Sequence, residues 1–394
     1  MARIVSSDEV ATAAHRLQHG LLVAFPTETV YGLGANAFDH DSCLKIFAVK
    51  GRPTTDPLIC HVATVEQATA LWDCEDAILH LATFLGAKFW PGPLTLVSKA
   101  NSNVAAAVTG GSGFVGVRIP DHPVALKLLT IAGIPVAAPS ANTFGHVSPT
   151  TAQHVYDDLC LRDDTLWIVD GGCSSVGIES TVLKLTSSRS VEILRRGKVT
   201  VGQVREALLQ FGSPVEVSIR DTRSKCRDLT EPMDGPGQLL THYSPSVPTF
   251  LLSPSGIKSY LTKKKIDEEP GGRWVVQVDG RTQTTLKRCL VIDFGGLLRV
   301  LTDDNDAIDN HCRPLAQRSL SNSGSVEEAC REVFAVLRWT ESIHGAELVL
   351  VPLLSAWCVA GDKEGVEDEL MSAVEDRLFR AASGQNAEIF WETD

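Results

Sequence analysis

Lys50 and Arg52 stand two residues apart in the stretch FAVKGRPTTDPLICHV, residues 47–62, between a helix-like run and an apolar run that carries His61. A guanidinium is a planar fork of donors and an ammonium a compact point charge, so the pair is suited to bracketing a polyphosphate. Pro53 and Pro57 restrict the connecting loop, which lowers the entropy lost in holding the charges still. Taken alone, the same residues also fit a solvated cationic helix end. Arg118 lies inside the apolar run VGVRIPDHP. A buried arginine there requires an anion, either an internal carboxylate or a ligand. His61 alternates with apolar neighbours, a pattern shared by core histidines and binding ones.

Further polar residues cluster where apolar runs end, which is where open α/β sheets hold ligands. In FPTETVYGLG, residues 25–34, Thr27 and Thr29 flank Glu28, and Gly32 and Gly34 read as part of a loop that lets the backbone approach a ligand. In PVAAPSANTFGHVSPT, residues 135–150, a strand runs through Ala138 into Ser140 and Asn142, then to Gly145, His146 and Ser148. Ser148-Pro149 reads as an N-cap followed by a first-turn proline, and hydroxyls, an amide and a helix N-terminus together suit an anion. DGGCSSVGIESTVL, residues 170–183, repeats the theme with Ser180 and Thr181, and ILRRG places Arg195 and Arg196 at a strand end. FWPGPLTLV, residues 89–97, reads as architectural. The sequence contains no GxxxxGK[ST], GxSxG or HExxH pattern, so the common phosphate loop, nucleophile elbow and zinc helix lack support.

The elements that must position these residues alternate between strand-like and helix-like runs, which predicts an α/β fold. A chain of 394 residues exceeds the usual size of one domain. We expect a first domain over residues 1–212, a Pro- and Gly-rich linker over 213–248, and a second, smaller α/β domain over 249–394. EVATAAHRLQHG, HDSCLKIFAV, HPVALKLLTIAG and SVEEACREVFAVLRWTES carry helix patterns, and TVGQVREALLQFG has a Thr200/Gln203 capping box. Lys and Arg number 16 against 19 Asp and Glu up to residue 210, and 20 against 29 after it. The net charge of -12 argues against a dedicated nucleic-acid binder. Ten cysteines without a CxxC pair argue against a zinc site or a disulfide framework. The N-terminus lacks an apolar signal core and no uninterrupted apolar run spans a bilayer, so we expect a cytoplasmic chain with no membrane contact.

Taken together, FPTETVYGLGANA, KGRPTTDPLICHV, FWPGPLTLV, VGVRIPDHP, PVAAPSANTFGHVSPT, GIESTVL and ILRRG resemble the YrdC-type threonylcarbamoyl-AMP synthase family in order and spacing, over about residues 4–210. The HYSP segment, residues 242–245, and the region beyond it resemble the long, two-domain form of that family. The resemblance implies a YrdC-like twisted open mixed sheet flanked by helices, followed by a Rossmann-like domain. It implies a nucleotidyltransferase that converts L-threonine, bicarbonate and ATP to L-threonylcarbamoyladenylate, diphosphate and water, for the N6-threonylcarbamoyl modification of adenosine 37 in tRNA. By motif position, Lys50, Arg52, Ser140 and Asn142 would carry the chemistry. Thr29, His61, Arg118, Ala138 and Ser180 would hold threonine. Lys50, Arg52, Asp56, Ser140, Asn142, Ser148, Arg195, Arg196, His242 and Tyr243 would line the ATP side. Mg2+ would arrive with ATP, with no metal held by the protein alone. Partners implied are ATP, L-threonine, bicarbonate, weakly bound tRNA or RNA, and a downstream threonylcarbamoyl-transferase complex. The chain departs from the family in QLLTHYSP, which lacks the usual basic residues, and at Asp56, where many relatives have Asn. Two competing readings are an RNA-binding module of the same fold and a related carbamoyl-transfer enzyme.

Overall fold

The structure, a computed structural model, describes residues 1–220, 232–236, 242–263, 272–301, 313–357 and 366–393. The chain forms two compact units, one of Met1–Phe144 with Ser148–Leu240, the other of Gly145–Val147 with Thr241–Asp394.

The strands of the first unit are β1 (Arg3–Ser6), β2 (Val23–Phe25), β3 (Gly32–Asn36), β4 (Ile59–His61), β5 (Leu94–Lys99), β6 (Phe114–Arg118), β7 (Val136–Ala137), β8 (Trp167–Asp170), β9 (Thr181–Ser187), β10 (Ser190–Arg195) and β11 (Glu216–Ile219). They form one mixed sheet in the order β1-β8-β2-β3-β7-β4-β6-β5-β9-β10-β11. The central strands are buried along their whole length: β2 and β4 show no exposed residue. That pattern belongs to a sheet covered on both faces, and separate apolar clusters lie about Leu33, Cys60 and Leu96 and about Val23, Phe25 and Val136.

Residues 32–36, expected as a loop, form β3 instead, paired antiparallel with β2 and β7. The glycines serve packing: a Cβ on Gly34 would lie 2.8 Å from Val136 Cγ1 and 3.0 Å from Phe25 Cε1. The helix His40–Lys50 starts at Asp39, whose carboxylate accepts from the amides of Asp41 (3.0 Å) and Ser42 (3.2 Å), and stops at Gly51, with φ of 67°. The helix Ala152–Leu159 is capped by Thr151, whose Oγ1 accepts from the His154 amide at 3.2 Å, and not by Ser148 as its sequence suggests. Ser caps at least as well as Thr in principle; here Ser148 is engaged elsewhere. The Thr200/Gln203 capping box forms as expected.

The stretch 213–248 is not a simple linker. Its start adds β11 to the edge of the first sheet, parallel to β10, and the Met233 amide donates to Thr55 O at 3.3 Å. Residues 221–231 and 237–241 lie outside the described residues.

The second unit holds β12 (Thr249–Leu252), β13 (Gly272–Val278), β14 (Arg281–Thr285), β15 (Cys289–Asp293), β16 (Ala316–Ser319), β17 (Leu348–Pro352) and β18 (Asn386–Thr393). The order is β14-β13-β18-β12-β17-β15-β16. The strands from β18 to β16 are mutually parallel, while β13 pairs antiparallel with both β18 and β14. This is the expected Rossmann-like arrangement with an antiparallel edge. Its helix Val326–Trp339 is capped by Ser325, which accepts from the Glu328 amide. Among the described residues no helix is long and apolar enough to cross a membrane.

Candidate functional site

The last turn of the helix His40–Lys50 delivers Lys50, which is 2 % exposed. Its ammonium donates to Ser140 O at 2.6 Å and to Asn142 O, in the loop that follows β7. The Phe144 amide returns a bond to Lys50 O at 2.8 Å. Burial, and then the neighbouring Arg52, push the Lys50 ammonium well below the usual lysine range.

Arg52 is held still. Its Nε donates to Asp56 O (3.1 Å), one terminal nitrogen donates to Pro57 O (3.0 Å), and the same nitrogen pairs with the Asp56 carboxylate at 2.9 Å. Asp56 is 1 % exposed. Burial raises its pKa against the opposing pull of Arg52, Lys50 and Arg195. The aspartate that departs from the family pattern is therefore the partner that fixes Arg52.

β4 and β6 run parallel with His61 in register with Arg118, and His61 also faces Val136 of β7. The His61 ring is buried, edge-on to Phe25 at 5.9 Å between centroids. Burial, reinforced by Arg118, pushes its pKa down to about 3, so it stays neutral across the working range. Arg118 donates to Thr29 Oγ1 at 2.9 Å and to Glu28 Oε2 at 2.5 Å. The anion its burial demanded is thus an internal carboxylate, Glu28. Thr27 ties this turn together through Thr29 Oγ1 (2.9 Å) and Val30 O (2.6 Å).

The start of β9 and the end of β10 complete the rim. Ser180 Oγ lies 2.8 Å from Thr95 Oγ1, and Arg195 donates to Ser180 O at 3.0 Å and Oγ at 3.3 Å. Ser148 donates to Glu179 Oε1 at 3.0 Å. A Cβ on Gly197 would lie 2.4 Å from Glu179 O and 2.5 Å from the Thr181 nitrogen, so only glycine lets the ILRRG turn close over this strand start. Ser140, which Lys50 holds, bridges to Gly32, and the Ala141 amide donates to Tyr31 O at 2.8 Å, which joins the Lys50 side of the rim to the turn that carries Glu28 and Thr29 against Arg118. Ala138 sits between them, its amide donating to Ile59 O at 2.8 Å. Arg196, next in sequence, is only half-buried.

His242 and Tyr243 fold with the second unit. Tyr243 is fully buried with φ of 62°; its ring meets His242 at 4.1 Å and Phe334 at 5.2 Å between centroids. Sequence reasoning left three rim residues without a role: Glu28, Thr95 and Glu179. Glu28 had a signal, since a buried arginine needs a carboxylate and the polar turn before β3 contains one. Thr95, inside an apolar strand, had none.

The arrangement defines a class: a mixed α/β sheet with immobilised cations and hydroxyls along one rim, followed by a separate parallel α/β unit. A family model described as "Telomere recombination" (Sua5, YciO, YrdC) matches residues 15–197, and one described as "Threonylcarbamoyl-AMP synthase, C-terminal domain" matches residues 199–383. Threonylcarbamoyl-AMP synthase of Pyrococcus abyssi is 39 % identical over 66 % of this chain and 72 % of its own length. The Bacillus subtilis protein of that name is 41 % identical over 68 % and 72 %. That of Schizosaccharomyces pombe is 32 % identical over 92 % and 85 %. The crystal structure of P. abyssi Sua5 complexed with L-threonine superposes with a TM-score of 0.72 at 31 % identity, covering 97 % of each chain. The chain belongs to the Sua5/YrdC threonylcarbamoyl-AMP synthase family.

Proposed function

We propose that this chain is a nucleotidyltransferase that makes L-threonylcarbamoyladenylate and diphosphate from L-threonine, bicarbonate and ATP. The observation that carries the reading is the joining of two sets of buried groups on one sheet rim. One set, Lys50, Arg52 and Asp56, suits a polyphosphate; the other, Thr29, His61, Arg118 and Ser180, suits a hydroxylated amino acid; the Ser140–Gly32 bridge and the Ala141–Tyr31 bond tie the two.

In this reading the threonine amine attacks bicarbonate to give a carbamate and water. A carbamate oxygen then attacks the α-phosphorus of ATP, and diphosphate leaves. No protein nucleophile is required. The chain contributes position and fixed positive charge, which lowers the barrier without reorganisation at the moment of reaction. Lys50 and Arg52 hold phosphate oxygens, with Ser140, Asn142, Ser148, Arg195 and Arg196 on the nucleotide side. Arg118 takes the threonine carboxylate, and Thr29, Ser180 and neutral His61 surround the rest of the amino acid beside Ala138. A hydroxyl-bonding site of this kind rejects valine by leaving its own buried polar groups unpaired.

Mg2+ is proposed to arrive with ATP and to neutralise phosphate charge. Among the described residues no group of three or more His, Cys, Asp or Glu gathers into a metal cage. Asp56 and Glu179 are bonded to Arg52 and Ser148. That donor set fits a cation held mainly by phosphate oxygens and water.

We place the product upstream of a separate threonylcarbamoyl-transferase that modifies adenosine 37 of tRNA, in the cytoplasm, and infer only weak RNA affinity from the net charge of -12. The deciding experiment incubates the protein with ATP, Mg2+, bicarbonate and labelled threonine and follows diphosphate and adenylate by chromatography. Diphosphate release should require threonine and bicarbonate together. Release that ignores either one refutes the reading.

A further inference from the structure

Arg118 and Glu28 form an ion pair in which each side chain is 4 % exposed. One guanidinium nitrogen bonds Glu28 Oε2 and the other bonds Thr29 Oγ1. The remaining carboxylate oxygen, Glu28 Oε1, is also buried and receives no hydrogen bond among the described residues. Arg118 Nε and the Nδ1 of His61, its register partner on β4, share that condition. Buried polar atoms are rarely left so, because each carries the cost of its lost hydration.

An opposite-charge pair with spare capacity on both members is complementary to one kind of solute, a zwitterion. When a free amino acid presents its carboxylate to Arg118, Glu28 loses the cation that compensated it. The α-ammonium of the same molecule can take that place, so the exchange leaves the buried net charge unchanged. A neutral or purely anionic ligand would leave Glu28 buried and uncompensated.

We propose that Glu28 receives the α-ammonium of the amino-acid substrate through Oε1 and then accepts its proton. The proposal rests on the reading of the chain as a carbamate-forming synthase and deepens it. An ammonium has no lone pair, so a base must act before carbon–nitrogen bond formation. In the first step the ammonium N–H bond breaks and the proton moves to Glu28, giving a neutral amine and a protonated carboxyl. In the second the amine lone pair attacks the bicarbonate carbon, the C–OH bond breaks, and one N–H proton passes to the leaving hydroxide, so that carbamate and water form. Glu28 returns its proton to solvent before the next turnover. The other charged or titratable groups around the pair are Asp121, His122, His61 and Arg195. The His122 ring is used as a helix cap, accepting from the Val124 amide at 3.2 Å. His61 is neutral, and Arg195 is bonded to Ser180. Asp121 is exposed.

The test uses the full chain, with Glu28→Gln and the conservative Glu28→Asp. Diphosphate release is followed as a function of threonine concentration and pH, with ATP affinity as the check that the fold survives. Loss of a general base typically costs about 100-fold or more. Glu28→Gln should therefore lose about that much kcat near neutral pH and recover as pH rises far enough to deprotonate free threonine in solution. Glu28→Asp should keep the wild-type pH profile at reduced kcat. In a second measurement on the wild type, 2,3-dihydroxybutanoate, which is threonine with its amine replaced by a hydroxyl, should bind about 10-fold or more weakly than threonine. Glu28→Gln should erase that preference. A loss in Glu28→Gln that is equal at every pH, or confined to threonine KM, assigns Glu28 only to holding Arg118 and overturns the proposal. So does equal binding of the two ligands by the wild type. If the wild type releases no diphosphate at all, the synthase reading falls, while the ligand comparison still tests the zwitterion pair.

Discussion

Lys50 Nζ donates to the main-chain carbonyls of Ser140 (2.6 Å) and Asn142, so one buried ammonium ties the end of a helix to the loop leaving β7. Two consequences follow from its burial. The ammonium is held in place before any nucleotide arrives, and its charged form is disfavoured until an anion joins it.

Where the pH exceeds the lowered pKa of Lys50 in the nucleotide-free protein, nucleotide binding should take up a proton there. The triphosphate restores the pKa that burial and Arg52 depress, so affinity should fall as pH rises through the lowered value of the nucleotide-free protein. Calorimetric titration of ATP in buffers of different ionisation enthalpy measures this directly. Proton uptake should be seen in the wild type and vanish in Lys50→Met, with ATP affinity reduced at least 10-fold. Equal uptake in both proteins would remove Lys50 from this role.

Arg118→Ala should destabilise the first unit as well as abolish threonine binding. The substitution leaves Glu28 buried without its cation, which typically costs about 3–5 kcal/mol. Removing both partners should cost less than the sum of the single losses, because the stranded charge is gone. Denaturation of Arg118→Ala, Glu28→Ala and the double variant, alongside ATP affinity, tests the coupling. Additive losses would mean the pair is not a unit.

Gly197→Ala should disturb the start of β9. The added methyl would meet backbone atoms of Glu179, Ser180 and Thr181 at 2.4–2.6 Å, and backbone cannot rotate aside as a side chain can. Overpacking of this kind costs about 1–3 kcal/mol. The displaced Ser180 should raise threonine KM more than ATP KM. An unchanged threonine KM would show that the turn relaxes away from the rim.

The buried runs, helix stops and the order of cation-bearing blocks were legible in the sequence because each depends on local pattern. The Thr200/Gln203 box forms, and Arg118 within an apolar strand finds the anion that its burial requires. What was not legible depends on contacts made at a distance. Gly32 and Gly34 read as loop because glycine is a poor strand former, yet a Cβ on Gly34 would lie 2.8 Å from Val136 Cγ1 and one on Gly32 3.2 Å from Ala138 Cβ. Ser148 had the better local signature of a cap, but its hydroxyl is taken by Glu179, 31 residues on. The edge strand β11 lies in a Pro- and Gly-rich stretch whose composition hides its pairing with β10.

Acidification should weaken the first unit through His61. The group is 5 % exposed and its pKa is pushed down to about 3 in the folded protein, against about 6.5 in an unfolded chain. Between those values the unfolded chain binds the proton and the folded one does not. Stability is therefore intact above about pH 6.5 and falls as pH drops, at up to about 1.4 kcal/mol per pH unit. Carboxylates will add their own dependence, so the informative quantity is the difference between the wild type and His61→Phe, which cannot titrate. Native-state hydrogen exchange at β4 and its neighbours, corrected for the intrinsic pH dependence of exchange, reports this unit alone. Between pH 6.5 and 4.5 the wild type should lose more protection than His61→Phe, by about 1 kcal/mol or more per unit. Parallel losses would show that His61 already accommodates a proton where it stands, and a charged imidazole beside Arg118 would then have to be reconciled with the amino-acid side of the rim.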